Sequence, residues 1–218
     1  MVGILRSTTR GLCLAAALFL LNCSGITYKF EYEGKDPALA QNWTEKDRQD
    51  FYHTSQGSQF LKYYWFLALE RPRSQQLFAE DSLERFGYLQ DPYAAAGNRP
   101  TQLPIGFVKD EGDGYIRGKK TRGPWIGLTC AACHTAQVTI GEKQHLIDGA
   151  PADADFHAFI KELGESLDST AVNPVKFDLF AARVDSMGGT TPILEDLAHA
   201  AHDFNLIVQQ NTPVHDWG

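Results

Sequence analysis

Apolar positions are unevenly spread along the chain, and their spacing changes character several times. From Gly11 to Leu21 (GLCLAAALFLL) they run almost unbroken, behind a segment that carries Arg6 and Arg10 and no acid. A charged lead followed by eleven residues of this kind falls short of the ~20 that a membrane-spanning helix needs, so residues 1–22 are expected to be an export signal. Between Gly57 and Glu70 (GSQFLKYYWFLALE), Phe60, Leu61, Tyr64, Trp65, Leu67 and Leu69 crowd closely enough for a helix buried on most sides. Helical spacing returns at Ser74–Phe86, where Leu77, Phe78, Leu83 and Phe86 give a partial apolar face. It recurs over 153–167 and 175–184, and again behind Thr191 and Pro192, where Ile193, Leu197, Ala201, Phe204 and Val208 share a face as far as Gln210. Thr44 is a good N-cap for one more helix, through TEKDRQDFYH.

Turn-forming residues interrupt this pattern between Asp91 and Trp125. Four prolines and six glycines there predict a long loop region with one strand-like piece, Ile105–Lys109. Further on, Gln137–Ile140 and His145–Ile147 flank Gly141–Gln144 as a short β-hairpin. The elements together predict a mainly α fold. Residues 23–43 read as a linker and 44–218 as the body of the protein.

Composition narrows the partners. Twenty Lys and Arg against 27 Asp and Glu leave a formal charge of -7, which argues against a nucleic-acid footprint. With 43% hydrophobic and 22% charged residues, a disordered chain and a multi-span membrane protein are both excluded.

The four cysteines fall in two pairs, Cys13 with Cys23 and Cys130 with Cys133. Leu20-Leu21-Asn22-Cys23 resembles a bacterial lipoprotein signal, in which the cysteine becomes the lipidated first residue; Asn22 is larger than the residue usual there, and cleavage after Gly25 is the alternative. Either route leaves Cys130 and Cys133 as the thiols of a protein sent to the periplasm or cell envelope, with membrane association through Cys23 if it is lipidated.

Those two belong to Cys130-Ala131-Ala132-Cys133-His134, the Cys-x-x-Cys-His signature of covalent haem attachment. At ~100° per residue on a helix, both thiols and the imidazole project from one face. Cys130 and Cys133 then anchor one haem c, and His134 supplies the proximal nitrogen to the iron. A thioredoxin-like dithiol would want a strand leading into the cysteines within a βαβ unit, and zinc would need two further ligands such as His145 or His157 at unhelpful spacing.

Other haem contacts are less determined. Met187 is a candidate for the sixth iron position, as are the remaining histidines, and an open position is the third possibility. Arg122, in a basic run with Arg117, Lys119 and Lys120, is a candidate anchor for the haem propionates. Trp125 either packs on the macrocycle or belongs to the core.

Gly123–Thr135 and Ile147–Asp155 (IDGAPADAD) resemble large bacterial di-haem c-type cytochromes of the cytochrome c peroxidase and rubber-oxygenase-like group. Gly57–Glu70 and Leu103–Asp110 (LPIGFVKD) extend the likeness over most of the chain from about Phe51. The resemblance implies a cytochrome c-like haem domain, mainly helical, with extra N-terminal helices, and His134 as proximal ligand. It implies electron transfer, to a redox partner protein or a second haem domain, or else oxygen or peroxide activation at an open iron. The chain has no second Cys-x-x-Cys-His and stops shortly after its last predicted helix, so it reads as an N-terminal half.

Overall fold

The computed structural model describes residues 41–94 and 103–211. They all belong to one compact unit, Lys35–Gly218; the other, Met1–Gly34, lies outside the described residues, and with it the expected export signal at 1–22 and Cys23.

Helix α1, Glu45–His53, begins where the sequence placed it. Thr44 accepts from the Asp47 backbone N–H at 3.1 Å while the Asp47 carboxylate accepts from the Thr44 N–H at 2.8 Å, a reciprocal cap. After it the expectation of one long buried helix fails. Leu61–Lys62 pairs as strand β1, and only Tyr63–Ala68 coils, as α2. Ser74–Phe86 also departs from its predicted helix. Ser82 and Leu83 sit at φ 51° and 60°, and only Glu84–Phe86 forms a 3₁₀ turn. Its apolar residues Phe78, Leu83 and Phe86 are nonetheless all buried: tertiary packing takes the face that a helix would have presented.

The larger correction concerns fold class. The predicted mainly α, cytochrome c-like fold with long loops and one hairpin is a mixed α/β fold, with five α-helices and seven strands in three antiparallel sheets among the described residues. Strand β2 (Phe107–Asp110) overlaps the piece expected at Ile105–Lys109, but β3 (Asp113–Ile116) and β4 (Lys119–Arg122) lie in the region expected to be loop, and β5 (Trp125–Leu128) starts at its last residue. Each is four residues long, too short for alternation to register against the surrounding glycines and prolines. The β3–β4 turn, Arg117–Gly118, has both residues at positive φ, as a two-residue hairpin loop requires, but Arg-Gly is not the usual sequence for it.

Strand β5 is the centre of the sheet β1–β5–β2, with Leu61 opposite Ile126 and Val108 opposite Gly127. Gly127 is required by a close approach: a Cβ there would lie 2.1 Å from the Ser58 carbonyl oxygen. The expected hairpin forms as β6 (Thr135–Ile140) and β7 (Lys143–Asp148) around a two-residue loop with Gly141 at φ +65°. Helices α3 (Phe156–Val172), α4 (Pro174–Ser186) and α5 (Leu194–Asn211) complete the chain, close to their predicted spans.

Phe159 of α3 is the hub of the core. Its ring centre lies 5.6–5.9 Å from those of Phe78, Phe86, Tyr88 and Phe107, mostly edge to face, which joins α3 to the sheet and to the irregular 70–90 segment. A smaller cluster of Tyr52, Ile105 and Ala131 lies under the cysteine turn.

Candidate functional site

Strand β5 runs straight into the cysteine motif. Thr129 ends the extended chain and caps a 3₁₀ turn, Cys130–Ala132, by accepting from the Ala131 N–H at 3.2 Å. In a 3₁₀ turn residues three apart eclipse, so the two cysteines stack on one side more closely than the expected α-helical spacing would place them. The Cys130 carbonyl accepts from both the Cys133 N–H (3.2 Å) and the His134 N–H (2.9 Å), which closes the turn over the whole motif.

Burial divides the motif in two. Ala131 and Ala132, the spacers, are 1% and 3% exposed, whereas Cys130, Cys133 and His134 are all exposed and both thiols are free. The Cys130 Sγ has the Gln56 Oε1 at 3.3 Å, and Cys133 lies near Tyr88, whose hydroxyl is pushed well above its ordinary value by burial first and by Cys133 and Asp155 next.

The support behind the turn comes from distant parts of the chain. Gly106, at φ +80°, lets the backbone pass: a Cβ there would lie 2.1 Å from the Ala132 nitrogen. Its carbonyl accepts from the Thr129 N–H at 2.8 Å, and the Thr129 hydroxyl donates to the Phe51 carbonyl of α1 at 3.1 Å. On the other side, the loop after β7 takes the motif's last carbonyls, with Gly149 N–H to His134 at 2.7 Å and Ala152 N–H to Cys133 at 3.0 Å.

Buried Asp148, at the end of β7, ties these parts together. Its carboxylate accepts from Arg48 Nε and from the Tyr52 hydroxyl, both at 2.7 Å, and from the Thr135 hydroxyl at 3.5 Å. Burial, and then this bond to Asp148, push the Tyr52 hydroxyl far above its ordinary value. Arg48, Tyr52, Gly106 and Asp148 were not found in sequence. Asp148 stands in a segment picked out for its resemblance, but nothing local announces that its partners lie about a hundred residues earlier.

The other predicted site residues lie elsewhere. Trp125 opens β5, so the strand carries it about 13 Å from Thr129 at 3.3 Å per residue. It is 3% exposed, with the Lys62 ammonium 4.0 Å from its ring centre and its indole N–H buried without an acceptor among the described residues. Arg122 ends β4, exposed, and its carbonyl accepts from Lys62. Met187 caps α4 and is partly buried against the main core. Trp125 and Arg122 line cavities that the cysteines and His134 do not.

Among the other histidines, His53 meets Asp91 at 2.6 Å and His199 meets Asp203 at 3.0 Å, while His157 and His202 are exposed. Among the described residues no group of three or more His, Cys, Asp or Glu is arranged to hold a metal ion, so the cysteines have no zinc-type ligand set around them. No helix among those residues is long and apolar enough to cross a membrane.

Among curated proteins, the chain is similar to the "Uncharacterized protein y4iJ" of Sinorhizobium fredii (strain NBRC 101917 / NGR234), 33% identical over 164 residues. The match covers 67% of this chain and 26% of that protein, so the chain spans about a quarter of the length of the curated relative it matches. No known protein family and no solved structure match the chain.

Proposed function

We propose that the turn Cys130–His134 holds one covalently attached haem c and that the protein is an exported c-type cytochrome that transfers single electrons. The observation that carries this is the division of the motif: the two spacers are buried while both thiols and the imidazole are exposed on a turn already closed by hydrogen bonds. These residues fit the group. Free thiols three residues apart on a 3₁₀ turn can each add to one vinyl side chain of the same porphyrin, the S–H proton passing to the vinyl carbon as the C–S bond forms.

Bound there, haem supplies a one-electron iron couple. Cys130 and Cys133 would hold it through their thiols, and His134 would supply a nitrogen to its iron. Because the backbone of His134 is fixed at its N–H by Cys130 and at its carbonyl by Gly149, the imidazole starts from a defined point before any cofactor arrives. Exposure of the turn leaves an approach for a redox partner protein or a second haem domain. Met187, Arg122 and Trp125 enter this proposal as candidate contacts that would need a route from the faces on which they lie. Export through residues 1–22 supplies the compartment in which haem is attached covalently.

A visible spectrum of the full chain, oxidised and then reduced, tests the assignment of electron transfer. Low-spin iron in both states that does not take up cyanide is the expected result. A high-spin component that binds cyanide freely would contradict it and point to oxygen or peroxide chemistry. If Met187 is the sixth ligand, Met187→Ala converts that spectrum; an unchanged spectrum removes Met187 from the site.

A further inference from the structure

Away from the cysteine turn, two adjoining cavities of about 220 and 240 Å³ open between the β3–β4 hairpin, the start of α2 and the approach to α5. They share Lys62, Trp65, Ile116, Arg117 and Asp196. The first is lined by four cations, Lys62, Arg117, Lys119 and Arg122, and by one carboxylate, Asp196. In a chain of net charge -7 this is a local reversal of sign.

The pairing leaves most of that charge uncompensated. Arg117 takes Glu195 at 2.7 Å and Asp196 at 3.6 Å, so the acid in the cavity is already engaged. Asp113, the acid of β3, bonds Lys120 at 2.9 Å and also lies close enough to Arg122 and Lys62 to offset part of their charge. Lys62, Lys119 and Arg122 form no ion pair among the described residues, although Lys62 is only 8% exposed. Its ammonium donates to the Arg122 carbonyl and lies over the Trp125 ring, two contacts that make up only part of the hydration it has lost. Trp125, beside Lys62 on the wall of the second cavity, has its indole N–H buried with no acceptor among the described residues. Buried positive charge and an unmet donor beside a cavity both call for an oxygen-bearing anion.

The remaining walls mix apolar and polar side chains: Trp65, Ile116 and Pro124 with Thr121, Thr190 and Thr191 in the first cavity, and Phe60 and Phe204 with His199 and Asp203, which meet each other at 3.0 Å, in the second. Each space is smaller than a drug-sized site, which sets a limit on the body of the ligand. We propose that this cavity binds a small organic oxyanion, a carboxylate or phosphate ester with a compact apolar body, held by the positive charge of Lys62, Lys119 and Arg122.

Isothermal titration of the full chain at low salt with benzoate, phenyl phosphate and inorganic phosphate tests it, with and without covalent haem. Both aromatic anions should bind in either form, and inorganic phosphate about tenfold more weakly, since it lacks the apolar body. Arg122→Gln with Lys119→Gln, two exposed positions, should weaken phenyl phosphate about tenfold, and Lys62→Met by at least as much. Lys143→Gln on the β6–β7 hairpin makes the chain equally more negative per substitution and should leave the affinity unchanged. No binding of any probe, or equal losses in Lys143→Gln and in the cavity variants, would overturn the proposal. Binding seen only in the haem-free chain would assign the cations to the haem propionates and overturn it as well.

Discussion

The cysteine turn and the Lys62 cavity bring chemistry together in opposite ways. The turn concentrates its reactive groups in five consecutive residues, so their spacing alone prompts the proposal of haem attachment, and the fold's part is to bury the spacers and brace the back. The cavity draws on Lys62, on a hairpin around residues 117–122 and on the segment before α5, and none of these pieces reads as a site alone. Reactive groups encoded locally still need distant residues to hold them. Those assembled from a distance become visible only when charges are counted after pairing.

The largest effect on this contrast comes from the turn itself. Cys130→Ser with Cys133→Ser should abolish covalent haem entirely, read as loss of haem staining on a denaturing gel, with little change in unfolding of the haem-free chain because both side chains are exposed. Next comes the brace. Asp148→Ala removes the carboxylate that accepts from Arg48 and from the Tyr52 hydroxyl, and should cost about 3 kcal/mol in urea unfolding. A loss below about 1 kcal/mol would mean that the network does not support the turn.

A smaller effect separates the cavity from the turn by pH. Burial lowers Lys62 from 10.5 to about 8, so between those values the unfolded chain binds a proton there that the folded chain has released. Stability should therefore rise with pH from about 8 towards 10, by about 2 kcal/mol, and Lys62→Met should flatten that rise. Above about pH 10 the trend reverses, because burial raises Tyr52 and Tyr88 and the unfolded chain then loses their protons first. Smallest is Arg117→Gln. Arg117 is exposed and its ion pairs with Glu195 and Asp196 are screened by water, so thermal unfolding should scarcely change.

Legibility in the sequence followed the range of the interactions. The Thr44 cap, the β6–β7 hairpin and helices α3 to α5 rest on contacts a few residues apart, and each was found close to its place. Ser74–Phe86 carried a helical apolar face but folds irregularly, because Phe78 and Phe86 reach Phe159 and Arg85 bonds Glu162, partners about 75–80 residues away. Strands β3 to β5 were hidden by their length and by an Arg-Gly turn, and with them the mixed α/β class. At the candidate site, the three exposed residues of the motif were named in advance; the brace of Arg48, Tyr52, Gly106 and Asp148 was not, since each of these residue types is ordinary until its partner is known.

Covalent haem on the exposed turn is put to the test by intact mass spectrometry of the full chain, after export in a bacterial host with haem-attachment machinery. The expected result is a mass increase of one haem that survives denaturation and disappears in the Cys130→Ser, Cys133→Ser variant. A wild-type chain of unmodified mass around the motif, with Cys130 and Cys133 both open to alkylation, would contradict it.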